Sequence, residues 1–244
     1  MPKIVALIPV RLESSRLPGK ALKDIGGIPA VVHVYKRAMF AKTLNEVYVC
    51  TDSNEIEAVC KQYSCKVIKT SKHRNGSERI YEASKLIDAD LIINIQGDEI
   101  LVNPDHIDLI AKKMSSNLNI EYCMGVTPFH KLNNPQVFKV VLNSKKEIIY
   151  CSRSDIPNQT IVQTKLQKLV FIVGFTKKSL KQFVLWPESR MELAEPNEFL
   201  RIIENGKKIQ TVDLKDAFIS LDTQDDLREI RQRMLADLLY INYK

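Results

Sequence analysis

Two short stretches of this chain are apolar on both faces: Ile4-Val5-Ala6-Leu7-Ile8, and Leu91-Ile92-Ile93 within the β-like run 90–96. A strand with one wet face alternates apolar and polar residues. One without that alternation has to be covered on both sides, which points to a parallel sheet held between two helical layers. The neighbouring segments keep the rhythm this requires. A Gly26-Gly27 turn precedes a helix over 28–42, with Val31, Val32, Val34, Tyr35 and Ala38 as its apolar face. Residues 46–51 are β-rich, and Asp52 with Glu55 has the spacing of a capping box for a helix to about Tyr63. A strand over 65–70, a helix over 77–86 and a helix from Asn103-Pro104 through Met114 follow; the last carries proline at its first position, where a missing N–H costs nothing. Strands alternating with helices at this spacing predict a three-layer α/β fold.

From 121 to about 175 the pattern changes. Residues 123–129, 137–142, 147–151 and 169–175 are β-rich with few helical signals between them. They read as an antiparallel insertion in a mixed, mostly parallel sheet, supplying a second wall of the site and a dimer surface. Residues 177–185 and 195–204 read as helical and 208–213 as a strand. A closing helix over 223–239 carries Leu227, Ile230, Met234 and Leu238 on one face. With no repeat, low-complexity stretch or linker, 1–244 reads as one domain.

Composition narrows the class. No apolar run approaches the roughly 20 residues of a membrane span, and Met1-Pro2-Lys3-Ile4 leads straight into a strand, so no signal peptide is expected. The five cysteines (Cys50, Cys60, Cys65, Cys123, Cys151) form no Cys-x-x-Cys pair; they read as reduced core residues of a cytoplasmic protein, not as zinc ligands or disulfides. The net charge of +7 is spread along the chain without a basic tract or nucleic-acid motif. An anionic small molecule accounts for that excess.

Four motifs carry chemistry. The first is the loop Pro9-Val10-Arg11-Leu12-Glu13-Ser14-Ser15-Arg16-Leu17-Pro18-Gly19-Lys20, which leaves the first apolar run. Loops at the carboxyl ends of strands are where open α/β sheets bind ligands. Arg11, Arg16 and Lys20 face one volume suited to phosphate, and Pro9, Pro18 and Gly19 stiffen a loop that mere solvation would leave slack. The second is Asn94-Ile95-Gln96-Gly97-Asp98-Glu99, which places acids on the same sheet edge. Gly97 is expected to let backbone approach a ligand closely, and hard carboxylates suit Mg²⁺, which takes one or two of them and completes its shell with phosphate and water. In the third, Asp222 ends a short apolar run before Thr223, with a capping role as the alternative. The fourth, Asn75-Gly76-Ser77-Glu78-Arg79, is a glycine turn at a helix start whose free N–H groups suit an anion or a base edge, or simply start the helix. His73, just before that turn, is a candidate ligand contact.

Taken in order, Ile-Pro-x-Arg-x-x-Ser-Ser-Arg-Leu-Pro-Gly-Lys, Gly-Ser-Glu-Arg, Asn-Ile-Gln-Gly-Asp-Glu, Asn-Pro-x-Val-x-Lys-Val-Val, Tyr-x-Ser-Arg-Ser-x-Ile-Pro and Leu-Asp-Thr-x-x-Asp-Leu run nearly end to end. The set resembles the 3-deoxy-manno-octulosonate cytidylyltransferase (CMP-Kdo synthetase) family. The resemblance implies a nucleotide-diphospho-sugar transferase-like fold and a homodimer. It also implies Mg²⁺-assisted transfer from CTP to a 3-deoxy-2-keto sugar acid, giving a CMP-sugar and pyrophosphate for lipopolysaccharide or capsule synthesis. By the same resemblance Arg11, Arg16 and Lys20 neutralise the triphosphate, and Asp98 and Asp222 hold the metal, with Arg11, Lys20, Asp98 and Asp222 as the catalytic set. Pro9, Val10, Ser71, Gly76, Ser77, Arg79, Gln96 and Gly97 match nucleotide positions; Gln96, Arg153, Ile172 and Glu198 match the sugar side, with Arg153 on the carboxylate.

Three departures stand out. Glu13 replaces a small residue, so it must point outward or pair with Arg16. Ile172, in Ile172-Val173-Gly174, stands where a histidine is usual, and Phe199 follows Glu198 where a glutamine is usual. Loss of two polar sugar contacts beside an intact nucleotide side implies a deoxy or amino analogue as acceptor, or Kdo itself where neighbouring side chains restore those contacts. The alternatives are transfer to a nonulosonate and a paralogue that binds nucleotide without turnover.

Overall fold

The computed structural model describes residues 2–159, 165–217 and 219–244. In chain order it forms β1 (Ile4–Pro9), a 3₁₀ turn (Lys20–Leu22), the hairpin β2 (Asp24–Ile25) and β3 (Ile28–Pro29), then α1 (Ala30–Ala38), β4 (Glu46–Thr51), α2 (Asn54–Gln62) and β5 (Val67–Lys69). There follow α3 (Gly76–Ser84), β6 (Leu91–Ile95), α4 (Pro104–Ser116), β7 (Tyr122–Phe129), β8 (Lys139–Leu142), β9 (Ile148–Ser152) and β10 (Leu166–Thr176). The chain closes with α5 (Lys177–Leu185), α6 (Arg190–Ala194), α7 (Leu200–Glu204), β11 (Gln210–Asp213), α8 (Gln224–Leu235) and a 3₁₀ turn (Tyr240–Asn242).

The apolar runs sit where their composition requires. All six residues of β1 are buried, and β1 pairs in parallel with β4 on one side and β6 on the other. Ile4, Ala6 and Ile8 face a core shared with α1, α4 and α8; Val5 and Leu7 face a second core built with α3, α5 and α7. Each such aliphatic side chain contributes about 1.5–3 kcal/mol relative to exposure. The sheet runs β11-β7-β10-β6-β1-β4-β5, with β8 on β10 and β9 on β8. The β-rich stretch expected as an insertion is therefore part of the main sheet. Its strands β7 and β10 run through the middle of it, and only β8 and β9 extend beyond; residues 160–164 of the stretch lie outside the described residues.

β10 positions the site. Its upper half pairs antiparallel with both β6 and β7. The register on β7 then shifts between Val170 and Val173, and below that point β10 leaves β6 and pairs with β7 and β8. The sheet opens where β6 ends at Ile95, and the turn from Gln96 to Glu99 occupies the opening, closed by Glu99 N–H on the Gln96 carbonyl at 3.1 Å.

Several local expectations are corrected. The first helix starts at Ala30, because Ile28 and Pro29 are spent pairing with Asp24 and Ile25. The cap of α2 is Ser53, whose hydroxyl accepts from Ile56 N–H at 3.2 Å, and Asp52 instead pairs with Arg79 at 3.0 Å. Residues 195–199 are not helical; α6 precedes them, held by a Ser189–Glu192 capping box. α8 ends at Leu235, so Leu238 leaves the apolar face and is 80% exposed. All five cysteines are free and buried, and among the described residues no helix is long and apolar enough to cross a membrane.

The tail clasps the hairpin that follows the cationic loop. Tyr240 donates its hydroxyl to the Gly26 carbonyl, and Arg231 donates twice to the Asp24 carbonyl, at 3.0 and 2.7 Å. His33, fully buried, lies 2.8 Å from the Ile25 carbonyl and 2.9 Å from the Tyr243 hydroxyl. A carbonyl only accepts, so Nε2 carries the proton and Nδ1 accepts from Tyr243. Burial holds this imidazole below its usual pKa, outweighing the carbonyl contact.

Candidate active site

The loop after β1 is folded down by its own apolar residues. Leu17 and Ala21 are buried, Val10 N–H donates to the Cys50 carbonyl at 2.9 Å, and Gly19 takes φ +65° to turn the chain into Lys20. Gly97 is needed for a different close approach from the one expected. A Cβ there would stand 2.8 Å from Val10 Cγ2 and 2.9 Å from the Pro9 carbonyl oxygen, so glycine lets the turn pack on the end of β1. Gly76 does the same for α3, where a Cβ would meet Pro9 Cγ at 3.0 Å.

These approaches gather the charged residues. Lys20 Nζ donates to Asp98 Oδ2 at 2.6 Å, to Asp222 Oδ1 at 3.2 Å and to the Leu221 carbonyl at 3.2 Å. Arg16 reaches Asp222 Oδ1 at 2.9 Å. Leu221 N–H donates to the Asp98 carbonyl at 2.9 Å, tying together the two segments that carry the acids. Capping of α8 is done by Thr223 and Asp226, which leaves the Asp222 carboxylate to the cations. Burial alone would lower the Lys20 pKa, but Asp98 and Asp222 outweigh it and hold the ammonium above its usual value. Glu99 accepts from Ser220 Oγ at 2.6 Å; burial, then the Asp98 charge, pushes its carboxyl up to about 7.

Around this cluster lies a cleft of about 310 Å³. Of the residues singled out from sequence, Pro9, Val10, Arg11, Arg16, Lys20, Gly76, Arg79, Gln96, Gly97, Asp98 and Asp222 line it. Arg11 is exposed and makes no hydrogen bond or ion pair among the described residues. Arg79 is buried, donating to Thr70 Oγ1 at 2.7 Å and to Asp52. Glu13 does not pair with Arg16; it meets Lys72 at 3.0 Å, with both side chains exposed.

Six singled-out residues do not line the cleft. Ser71 is bound through its N–H and hydroxyl to Glu82. Ser77 is buried beneath the cleft and donates to Glu198 Oε1 at 2.8 Å. Burial raises the Glu198 carboxyl to about 7, and among the described residues its Oε2 is buried without a partner, as are both polar atoms of the Asn94 amide. Arg153 lies over the Phe138 ring at 4.3 Å and donates to the Pro135 carbonyl at 2.6 Å. Ile172 is core, opposite Ile95 in the sheet, and Phe199 stacks on Phe183 at 5.9 Å.

Sequence reasoning passed over Arg74, which lines the cleft between His73 and Asn75. His73 is held by Glu82 and stands 3.7 Å from Glu78, a spacing of four on one face of α3 that marks where the histidine folds back. A second pocket, of about 110 Å³, also went unseen. It shares Arg16 and Asp222 with the cleft and brings together Glu99, Phe138, Lys168 and Phe171.

Among the described residues no group of three or more His, Cys, Asp or Glu is arranged to hold a metal. Asp98 and Asp222 could hold one between them. They already converge on a single cationic nitrogen, and Mg²⁺ needs no more than two protein carboxylates when substrate phosphate completes its shell.

The family model described as "Cytidylyltransferase" matches residues 5–209. The 3-deoxy-manno-octulosonate cytidylyltransferase of Chlorobium limicola is 38% identical over 95% of this chain and 96% of its own length. That of Geobacter metallireducens is 34% identical over 95% and 98%. A solved structure of CMP:2-keto-3-deoxy-manno-octonic acid synthetase complexed with CTP superposes with a TM-score of 0.93 at 32% identity, covering 97% of this chain and all of that one.

Proposed function

The chain belongs to the 3-deoxy-manno-octulosonate cytidylyltransferase family, and from that premise we propose that it moves a cytidylyl group from CTP to the anomeric hydroxyl of a 3-deoxy-2-keto sugar acid. The observation that carries this reading is the meeting of Asp98 and Asp222 on Lys20, at the sheet edge where the three-cation loop leaves β1.

The reaction forms a bond between the sugar oxygen and the α-phosphorus and breaks the bond to the leaving pyrophosphate. Positioning and charge neutralisation are what it demands of the protein. Arg11, free of internal partners, meets the incoming phosphates. Arg16 and Lys20 exchange part of their hold on the carboxylates for phosphate oxygens. The end of β1 and the start of α3, with Gln96 between them, take the nucleoside. Asp98 and Asp222 would hold Mg²⁺, which when bound would supply screening of the α-phosphate charge and a lowered pKa for the attacking hydroxyl. Family membership likewise supports a homodimer acting in the cytoplasm for lipopolysaccharide or capsule synthesis.

The names of the relatives specify 3-deoxy-manno-octulosonate as acceptor. A deoxy or amino analogue is the second reading, favoured now by the Phe138 and Phe171 wall of the second pocket and no longer by Ile172. Pyrophosphate release with CTP, Mg²⁺ and a panel of 3-deoxy-2-keto acids tests both. Wild type should turn over at least one acid, and Asp98→Asn should lose roughly a thousandfold in rate with the fold intact. Background release with every acid removes the reading.

A further inference from the structure

The hairpin of β8 and β9 is open at Lys139 and Ser152, which pair across it. The Lys139 side chain is fully buried. Its ammonium donates to the Asn134 carbonyl at 2.7 Å, to the Val137 carbonyl at 3.3 Å and to the Arg153 carbonyl, and Asp155 Oδ1 stands 3.4 Å away. Asp155 in turn accepts from the Asn133 N–H at 2.7 Å. One side chain thus ties the loop that enters β8 to the loop that leaves β9. Taking an ammonium out of water is unfavourable unless its partners stay in place, so this contact set locks the two loops in one arrangement.

The main chain locked most firmly is that of Arg153. While Lys139 holds its carbonyl, its N–H donates to Glu195 Oε2 at 3.1 Å, and Glu195 also accepts from the Ser152 hydroxyl. The guanidinium is held far less. It rests on the Phe138 ring at 4.3 Å and, among the described residues, gives one of its five N–H donors to the Pro135 carbonyl at 2.6 Å and has no carboxylate within ion-pair distance. Phe138 beneath it lines the pocket that shares Arg16 and Asp222 with the cleft.

We propose that Lys139 is a positioning residue for the acceptor: together with Glu195 it fixes the main chain at 153, and it fixes the Phe138 platform, so that the Arg153 guanidinium is presented to the carboxylate of the incoming sugar acid. The proposal rests on the cytidylyl transfer argued above, in which the acceptor is an acid; a planar guanidinium without a carboxylate of its own is suited to that group as a bidentate partner. Lys139 lines neither the cleft nor the second pocket, so its influence on the acceptor passes through the arginine.

The test is steady-state kinetics of Lys139→Met, Arg153→Met and the double variant with 3-deoxy-manno-octulosonate, or the panel acid that wild type turns over best, alongside direct titration of CTP binding. Lys139→Met should raise the acceptor KM roughly ten- to hundredfold, the effect of misplacing a charge-assisted contact by about an ångström. The kcat should stay within about threefold and CTP affinity within about twofold. A residue acting through Arg153 adds nothing once that side chain is gone, so the double variant should match Arg153→Met within about twofold. Glu195→Ala releases the same main chain from the other side at a half-buried position. It should behave alike in the same cycle, and it decides the matter if Lys139→Met fails to bind CTP. An acceptor KM unchanged in Arg153→Met or in either CTP-binding variant, or single effects that multiply in full in the double one, overturns the proposal while cytidylyl transfer stands. Wild type without turnover of any 3-deoxy-2-keto acid overturns both.

Discussion

Lys20 bridges two carboxylates that would otherwise repel each other, and Lys20→Met puts a magnitude on that role. The ammonium makes contacts at 2.6 and 3.2 Å to side chains that are 25% and 31% exposed, and is itself 23% exposed. Removing it strips Asp98 of its cation and leaves Asp222 with Arg16 alone. Two unit charges roughly 5 Å apart at an effective dielectric of about 20 repel by about 3 kcal/mol. Proton uptake by one carboxylate caps the penalty, so a net loss of about 2–3 kcal/mol is expected. At about 2–4 °C per kcal/mol for a chain of this size, the melting temperature should fall by about 4–12 °C. Because both oxygens stay in place for a divalent ion, millimolar Mg²⁺ should return most of that loss in Lys20→Met while raising the wild-type value little. Thermal unfolding followed by circular dichroism, with and without Mg²⁺, is the assay. A variant that melts with wild type, or one that Mg²⁺ fails to rescue, would refute the claim that these carboxylates form one cation site.

Arg11→Met should raise the CTP KM about tenfold while changing stability by no more than about 0.5 kcal/mol, since the guanidinium is exposed and has no internal partner to lose. A fall in melting temperature without a KM change would make the residue structural. Glu198 predicts a pH effect. Its folded pKa of about 7 lies above the ordinary 4.5, so the native state holds the proton longer than the unfolded chain. Its contribution is fully present below about pH 4.5 and lost as pH rises through about 7, by up to about 3 kcal/mol. Glu99 acts with the same sign, so Glu198→Gln should roughly halve the decline in unfolding free energy between pH 5 and pH 8. An unchanged slope in urea titrations would show the carboxyl is not buried as described.

What could be read from the chain was local. Continuous apolar runs announce β1 and β6, and the residues just after them fall at the strand ends by necessity, so Arg11, Lys20 and Asp98 were within reach. What could not be read depends on partners distant in sequence. Asp52 has the spacing of a cap, but Arg79, 27 positions on, claims it. Gly97 is legible as a close approach, yet only the structure shows that the neighbour is Pro9. α6 is five residues long between Pro187 and Pro196, too short for a periodic signal. The second pocket arises because β10 changes partners midway, and no pattern within β10 announces a change of register.

The Tyr240 clasp sets a rule for how this chain can vary. Gly26 sits at φ +65°, and a Cβ there would come within 2.8 Å of the Tyr240 hydroxyl. The two positions therefore act as tumbler and key: any side chain at 26 must displace the hydroxyl end of the ring at 240 and take a left-handed backbone that only glycine adopts freely. The ring's hydroxyl and Arg231 both bond carbonyls of the hairpin that trails Lys20, so a change at 240 is also a change in how that hairpin is anchored.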